Sequence, residues 1–280
     1  ITLPFTFNLY SETYNTLYIN NPGPLSFPRA WSTYSPVGFP SSSYKMVAPF
    51  WGDVDTRNGG AVWYKLTPTA IYVNWVDVGY YNQHNNKNNS FQLILTDGSD
   101  PVLPSGINVG FCYKDMQWTT GDASGGSGGF GGSPATVGAN RGDGVNFVLF
   151  GQFDQSGSAY DGPFGANDGV DWLDGRSLEF TTSSTGVNIP PIATSAVCDT
   201  ITACVGQPTD ITMEFISPEA SQTTTASAIN STLSNFTISS YTPGNTATIT
   251  ASTTPVTGDI GFHTVTFTGT EHGAPPLTTT

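Results

Sequence analysis

The chain has 280 residues, with 8 Lys or Arg against 21 Asp or Glu, which gives a formal net charge of −13. This acidic balance excludes nucleic acid and anionic membrane surfaces as partners, because both require basic patches. No run approaches the roughly 18 apolar residues that a membrane-spanning helix needs, so membrane insertion is not expected. Charged residues are only 10% of the chain, and Thr, Ser, Asn and Gly supply the polarity. This composition is typical of secreted or cell-surface β-proteins.

The first part of the chain shows the two-residue alternation of half-buried strands. Alternation at 17–19, followed by Asn-Asn-Pro-Gly, predicts a strand that enters a hairpin. Residues 69–78 alternate with Ile71, Val73 and Trp75 on one face, and residues 90–96 predict a further strand. We expect the Asn-rich residues 79–89 to form a loop. No stretch has helical periodicity longer than two turns, so the predicted fold class is all-β.

A glycine-rich tract follows the strand that ends near Asp115 and continues through Gly132. Apolar strand sequence lies on both sides of it, so we expect a long connection inside one domain. Loops of this length are usually functional or disordered. The tract contains no His or Cys, which favours a role in backbone shape and contact over catalysis.

Several motifs, in a consistent order over about residues 10–182, resemble the nidogen-type extracellular domain. They are 48–56 (Ala-Pro-Phe-Trp-Gly-Asp-Val-Asp-Thr), 62–64 (Val-Trp-Tyr), 91–98 (Phe-Gln-Leu-Ile-Leu-Thr-Asp-Gly), 116–121 (Met-Gln-Trp-Thr-Thr-Gly) and 142–147 (Gly-Asp-Gly-Val-Asn-Phe). The module occurs in nidogen, in tectorin-like and mucin-like matrix proteins, and in bacterial surface proteins. The resemblance implies an extracellular β-rich module associated with adhesion and matrix assembly, without known catalytic chemistry. The stretch 154–174 departs from the family in being richer in Asp and Gly.

The composition shifts after residue 182, where a short linker at 183–190 leads into a Thr-rich region at 191–280. Strand-like alternation there places Ile211, Met213 and Phe215 on one face, and His263, Val265 and Phe267 on another strand. Such short strands with Pro and Gly turns favour an immunoglobulin-like β-sandwich. The sequence of residues 266–277 resembles the penultimate hairpin of cadherin-like repeats in bacterial surface proteins.

A sandwich of this kind needs another strand after the Pro-Pro pair at 275–276. Two expectations remain open: the natural polypeptide continues, or a neighbouring molecule supplies the strand. An unpaired sheet edge would otherwise favour aggregation.

Cys198 and Cys204 are five residues apart and predict a local disulfide, since the chain has the composition of a secreted protein. Cys112 lies in apolar, strand-like sequence, where a buried inert thiol is the expected state.

Calcium is the one candidate cofactor. Asp53 and Asp55 favour a turn over a calcium loop, because Arg57 stands where a third oxygen ligand belongs. The better candidates lie in a flexible, oxygen-rich loop, although a solvated acidic loop is the alternative: Asp154, Asp161, Asn167, Asp168, Asp171 and Asp174.

Exposed aromatic rings beside Asn and Asp are a usual means of holding sugars, by stacking and hydrogen bonding. The candidates, for each of which core or turn packing is the alternative, are Trp31, Tyr34, Tyr80, Tyr81 and Tyr160. None of the three histidines has a Ser, Asp or Cys at a recognisable spacing, so no enzyme is predicted.

We expect a secreted or cell-surface adhesion or matrix-interaction protein, part of a larger multidomain protein, that binds an extracellular glycan or a matrix or surface protein. The alternative is a subunit of an extracellular fibre or sheath that assembles with itself by strand exchange. A polysaccharide-active enzyme is a third hypothesis.

Overall fold

The computed structural model describes residues 1–184, 188–194, 201–219, 222–230, 232–273 and 276–280. It divides into two compact units, Ile1–Val187 and Asn188–Thr280. Over these residues the only helices are short 3₁₀ turns at Asp122–Ser124, Val170–Leu173 and Thr257–Asp259. The all-β prediction is therefore confirmed.

The described residues of the first unit form 14 strands. They are β1 (Thr2–Leu9), β2 (Glu12–Thr16), β3 (Tyr18–Ile19), β4 (Leu25–Ser26), β5 (Met46–Trp51), β6 (Val54–Asp55), β7 (Ala61–Leu66), β8 (Ala70–Tyr80), β9 (His84–Thr96), β10 (Val109–Met116), β11 (Ala135–Asn140), β12 (Phe147–Gln155), β13 (Asp168–Gly169) and β14 (Ser177–Phe180).

Two six-stranded sheets carry most of the first unit. One has the order β14-β10-β9-β8-β6, with β7 also paired to β8; the other has the order β13-β12-β11-β5-β4-β3. Strands β1 and β2 form a separate ribbon. Buried aromatic rings join the two sheets: Phe50 of β5 packs 5.5 Å from Phe91 of β9, which stacks 4.9 Å from Trp75 of β8.

The predicted alternation in β8 is confirmed, because Ile71, Val73 and Trp75 are buried while Tyr72 and Asn74 are partly exposed. The predicted loop at 79–89 is wrong. Strand β8 continues to Tyr80, and β9 begins at His84, which pairs with Tyr80. The sequence of this stretch shows no apolar alternation, because side-chain amides that bond to loops take the place of buried apolar side chains. Asn89 Nδ2, for example, donates to the Trp118 carbonyl at 2.9 Å.

Where the structure describes the second unit, it contains seven strands: β15 (Ile192–Ala193), β16 (Thr209–Ile216), β17 (Thr224–Asn230), β18 (Thr237–Thr242), β19 (Thr246–Thr253), β20 (Val265–Glu271) and β21 (Thr278–Thr279). They form the sheets β15-β16-β19-β18 and β17-β20-β21. Phe215 and Ile249 of the first sheet share a core cluster with Phe267 of the second, as expected of a β-sandwich. The cadherin-like resemblance stays a prediction.

His263 does not lie on a strand, contrary to expectation, since β20 begins at Val265. Its ring instead hydrogen-bonds through Nδ1 to Thr232 Oγ1 at 2.7 Å and through Nε2 to the Asp259 carbonyl at 2.8 Å. These two contacts hold the ring beside the short 3₁₀ turn at Thr257–Asp259.

Candidate ligand-binding surface

Three segments of the first unit meet beside the ends of β6, β8 and β10. They are the loops 56–60 and 117–134 and the turn 81–84, whose last residue begins β9; we call them the loop surface. The Tyr81 amide donates to the Asp53 carbonyl at 2.9 Å, and the Asp122 amide donates to the Tyr81 carbonyl at 2.7 Å. Asn58 Nδ2 donates to the Gln83 carbonyl at 3.0 Å. Two backbone hydrogen bonds and one from the Asn58 side chain therefore hold these segments against one another.

The loop surface carries a partly exposed aromatic ring, an arginine beside that ring, and a histidine–aspartate pair. Tyr81 is 37% exposed, and the Arg57 guanidinium lies 5.1 Å from its ring centre. His84 Nε2 lies 2.9 Å from the Asp122 carboxylate. Arg57 Nε donates to both oxygens of Asp55 at 2.9 and 3.1 Å, and these bonds lower the pKa of Asp55 to about 2. The Asp55 carboxylate is thus paired with Arg57.

The glycine tract supplies the backbone shape of this surface. The amides of Thr119 and Thr120 both donate to the Gly129 carbonyl, at 2.8 and 3.0 Å. Gly132 has φ +60°, and a Cβ placed there would lie 2.3 Å from the Ser124 carbonyl oxygen. Since L-residues avoid this conformation, only glycine fits at 132.

Asp53 is buried beneath the loop surface. A Cβ on Gly121 would lie 2.6 Å from its Oδ2, and that oxygen has no hydrogen-bond partner among the described residues. Burial raises the pKa of Asp53 to about 6, and the neighbouring carboxylates of Asp55 and Asp122 add to the rise. The sequence marked Asp53 as a turn residue but gave no signal of its burial.

The structure separates the five predicted ligand-binding aromatics. Tyr34 is exposed, and its carbonyl accepts a hydrogen bond from Ser124 of the tract, so Tyr34 borders the loop surface with Tyr81. Tyr80 is buried in the core. Tyr160 donates to the Phe150 carbonyl and stacks 3.9 Å from Trp172. Trp31 is partly buried and packs 4.9 Å from Tyr44.

Four of the six predicted calcium ligands lie together. The Asp168 amide donates to Asp154 Oδ1 at 3.1 Å, and Asp161 accepts from the amide of Asn167 at 3.3 Å and from its side chain at 2.9 Å. Two predicted ligands lie apart from them: Asp174 accepts a bond from the Met116 amide, and Asp171 is exposed on the turn at Val170–Leu173.

Asp168 itself is fully buried. In the described part of the chain, neither of its carboxyl oxygens has a hydrogen-bond partner of normal geometry, although the nearby amides of Asp161 and Gln152 partly lower its pKa. Burial dominates and raises the pKa of Asp168 to about 8. No group of three or more His, Cys, Asp or Glu among the described residues is arranged to hold a metal ion. Calcium binding stays a prediction.

The predicted disulfide cannot be placed, because Cys198 lies outside the described residues; Cys204 is exposed. Cys112 is half-buried in β10. Within the described residues, the structure contains no helix long and apolar enough to span a membrane.

These features define an all-β module in which a glycine-rich tract and two neighbouring segments form the loop surface. The model of the NIDO-related family matches residues 1–159, more than half of the chain, and the chain belongs to this family. This confirms the nidogen-type resemblance of the first unit. The comparisons indicate no catalytic family.

The chain is also similar to curated proteins. It is 32% identical to alpha-tectorin of Gallus gallus over 177 residues, 52% of this chain and 8% of the tectorin. It is 32% identical to alpha-tectorin of Homo sapiens over 168 residues, 49% and 8% of the two chains. It is 26% identical to Dendrite extension defective protein 1 of Caenorhabditis elegans over 160 residues, 50% and 13%. The match therefore spans a small part of each relative. No solved structure matches the chain.

Proposed function

We propose that this protein is a non-catalytic, extracellular matrix-interaction module that binds a glycan or a matrix protein through the loop surface. The observation that carries the proposal is membership of the NIDO-related family over residues 1–159. The family resemblance implies an extracellular module of matrix proteins, and the low content of charged residues fits a secreted or cell-surface location.

The chemistry of the loop surface supports a binding role. Tyr81 offers a partly exposed ring with Arg57 beside it, and the loop surface also carries the hydrogen-bonded pair of His84 and Asp122. This combination suits a polar ligand that stacks on a ring and hydrogen-bonds at its edge. The glycine tract holds these groups in place through its backbone, which reduces the ordering cost of binding.

A catalytic role is less well supported by the same geometry. Asp53 has a raised pKa and lies near the carboxylates of Asp122 and Asp55, and a raised pKa is what a general acid requires. Its Oδ2, however, is covered by the Gly121 backbone. A substrate would therefore have to displace the tract to reach it.

Binding of the labelled chain to immobilised glycans and purified matrix proteins tests the proposal. Tyr81→Ala and Arg57→Ala should each weaken binding to the same member of the panel, because both remove groups of the loop surface. Val145→Ala, at a position exposed on another turn, is the matched control and should bind normally. Equal binding by all three variants would refute the loop surface as the site.

A second candidate, assembly into a fibre by strand exchange, has one observation in its favour. Strand β21 pairs only with Gly269 and Thr270, whereas β17 pairs with every residue of β20. Part of β20 could thus accept a donated strand. Deleting residues 277–280 should then change concentration-dependent assembly measured by light scattering; unchanged scattering would argue against strand exchange.

A further inference from the structure

Strand β7 is an apolar edge strand. Its residues pair with β8 from Ala61 opposite Val76 to Leu66 opposite Ile71, and it pairs with no other strand in the described part of the chain. Trp63 is 66% exposed and Tyr64 is 57% exposed. Natural proteins usually protect such edges because they are templates for pairing with another chain. Lys65 is the single charged residue on this strand.

The backbone groups that face away from β8 can be assigned. The Thr67 amide donates to the Ala70 carbonyl at 2.8 Å, which makes these two residues a hydrogen-bonded pair at the turn. Hydrogen-bonded and non-hydrogen-bonded pairs alternate along an antiparallel ladder, and no bulge interrupts this one. The N–H and C=O groups of Val62, Tyr64 and Leu66 therefore point outward. None of them has a partner among the described residues.

We propose that β7 pairs antiparallel with β7 of a second copy of this chain, about a two-fold axis at Tyr64, so that one sheet runs through both copies. In this register Tyr64 lies opposite Tyr64 of the second copy, and Val62 lies opposite Leu66. All three outward-facing residues then form hydrogen-bonded pairs, with about six backbone bonds in total.

The register follows from the strand's own pattern. Opposite residues must lie on the same face, so allowed shifts move the strand by two residues. A two-fold axis at Trp63 would leave Leu66 without a partner within β7. An axis at Lys65 would place two lysines directly opposite each other, which is destabilising.

The axis at Tyr64 also matches the side chains. Lys65 of each copy lies opposite Trp63 of the other, in a non-hydrogen-bonded pair whose Cα atoms are about 4.5 Å apart. An ammonium group over an indole ring is a favourable cation–π arrangement. The one charge of the strand is thus complementary to the other copy, which is why we assign a second copy and not an unrelated strand. The contact is isologous and closes as a dimer.

Sedimentation equilibrium of the full chain from about 1 to about 200 μM, a range that brackets micromolar dissociation constants, tests the proposal. The average mass should rise from 29.6 kDa toward twice that value. Tyr64→Lys and Tyr64→Glu should each abolish the rise, because like charges then meet at the axis. Val145→Lys, a matched control at a position 74% exposed, should dimerise as the wild type does.

Mixing the Tyr64→Lys and Tyr64→Glu chains should restore the dimer, since opposite charges then face each other, and this recovery shows that both variants are folded. A wild type that stays monomeric over the whole range would overturn the proposal. So would a dimer that survives either substitution, or a mixture that fails to recover. Because β7 lies outside the loop surface, loss of the dimer and loss of matrix binding are separable results.

Discussion

Replacing Asp168 by Asn should change how the stability of the first unit depends on pH. Asp168 is fully buried, neither carboxyl oxygen has a hydrogen-bond partner of normal geometry among the described residues, and its pKa is raised from 3.8 to about 8. Between these values the folded protein keeps the proton while the unfolded chain loses it. The unfolding free energy of the wild type should therefore fall as pH rises through this window, by about 1.4 kcal/mol per pH unit from this group.

The Asp168→Asn variant lacks that dependence, because its amide carries no titrating proton. The difference in unfolding free energy, variant minus wild type, should increase by about 3 kcal/mol between pH 5 and pH 7. Any constant cost of fitting an amide cancels in this comparison, as do the contributions of the other titrating groups.

Urea unfolding followed by tryptophan fluorescence is a suitable assay, since all six tryptophans lie in the first unit. Asp143→Asn, which makes the same charge change on an exposed residue whose pKa is lowered to about 2, is the control and should show a nearly constant difference across this range. A constant difference for Asp168→Asn as well would refute the assignment of a buried, protonated carboxyl.

Three further predictions concern the same unit. If calcium binds at Asp154 and Asp168, the wild type but not Asp168→Asn should gain about 3 kcal/mol of stability at a calcium concentration 100-fold above the dissociation constant. An unfolding free energy of the wild type that is the same with calcium and with a chelator would exclude the site. Asp53→Asn should raise the unfolding free energy by up to about 3 kcal/mol above pH 6, because the buried carboxyl has a pKa raised to about 6. At pH 4 the variant should show no such gain. The same gain at both pH values would contradict this prediction. Gly132→Ala should cost more than Gly131→Ala in urea unfolding, since both have positive φ but only the Cβ at 132 meets backbone atoms; equal costs would refute the steric explanation.

The strand pattern could be predicted where one face of a strand is buried. The alternation of Ile71, Val73 and Trp75 in β8 reflects packing against a single core, so it is visible in the sequence. The first half of β9 could not be recognised from the sequence. Its residues include Asn85 and Asn89, whose side chains bond to loop carbonyls, so this part of the strand lacks the alternation of buried apolar side chains. Periodicity reports only burial, and these strand residues are held by other contacts.

The candidate site was predicted only in part for a related reason. The glycine tract and Tyr81 were recognisable from local composition. The pairing of His84 with Asp122 joins residues 38 positions apart, and no local pattern encodes that proximity. The burial of Asp53 likewise depends on Gly121 lying over it, which only the folded chain reveals.

Hydrogen–deuterium exchange of the full chain, with and without the glycan or matrix protein that it binds in the panel, tests the proposed function most directly. Binding at the loop surface should slow exchange at the amides of residues 56–60, 81–84 and 117–134, and should leave the second unit unchanged. Protection confined to the second unit, or to parts of the first unit away from these loops, would contradict the proposal that the loop surface is the matrix-binding site.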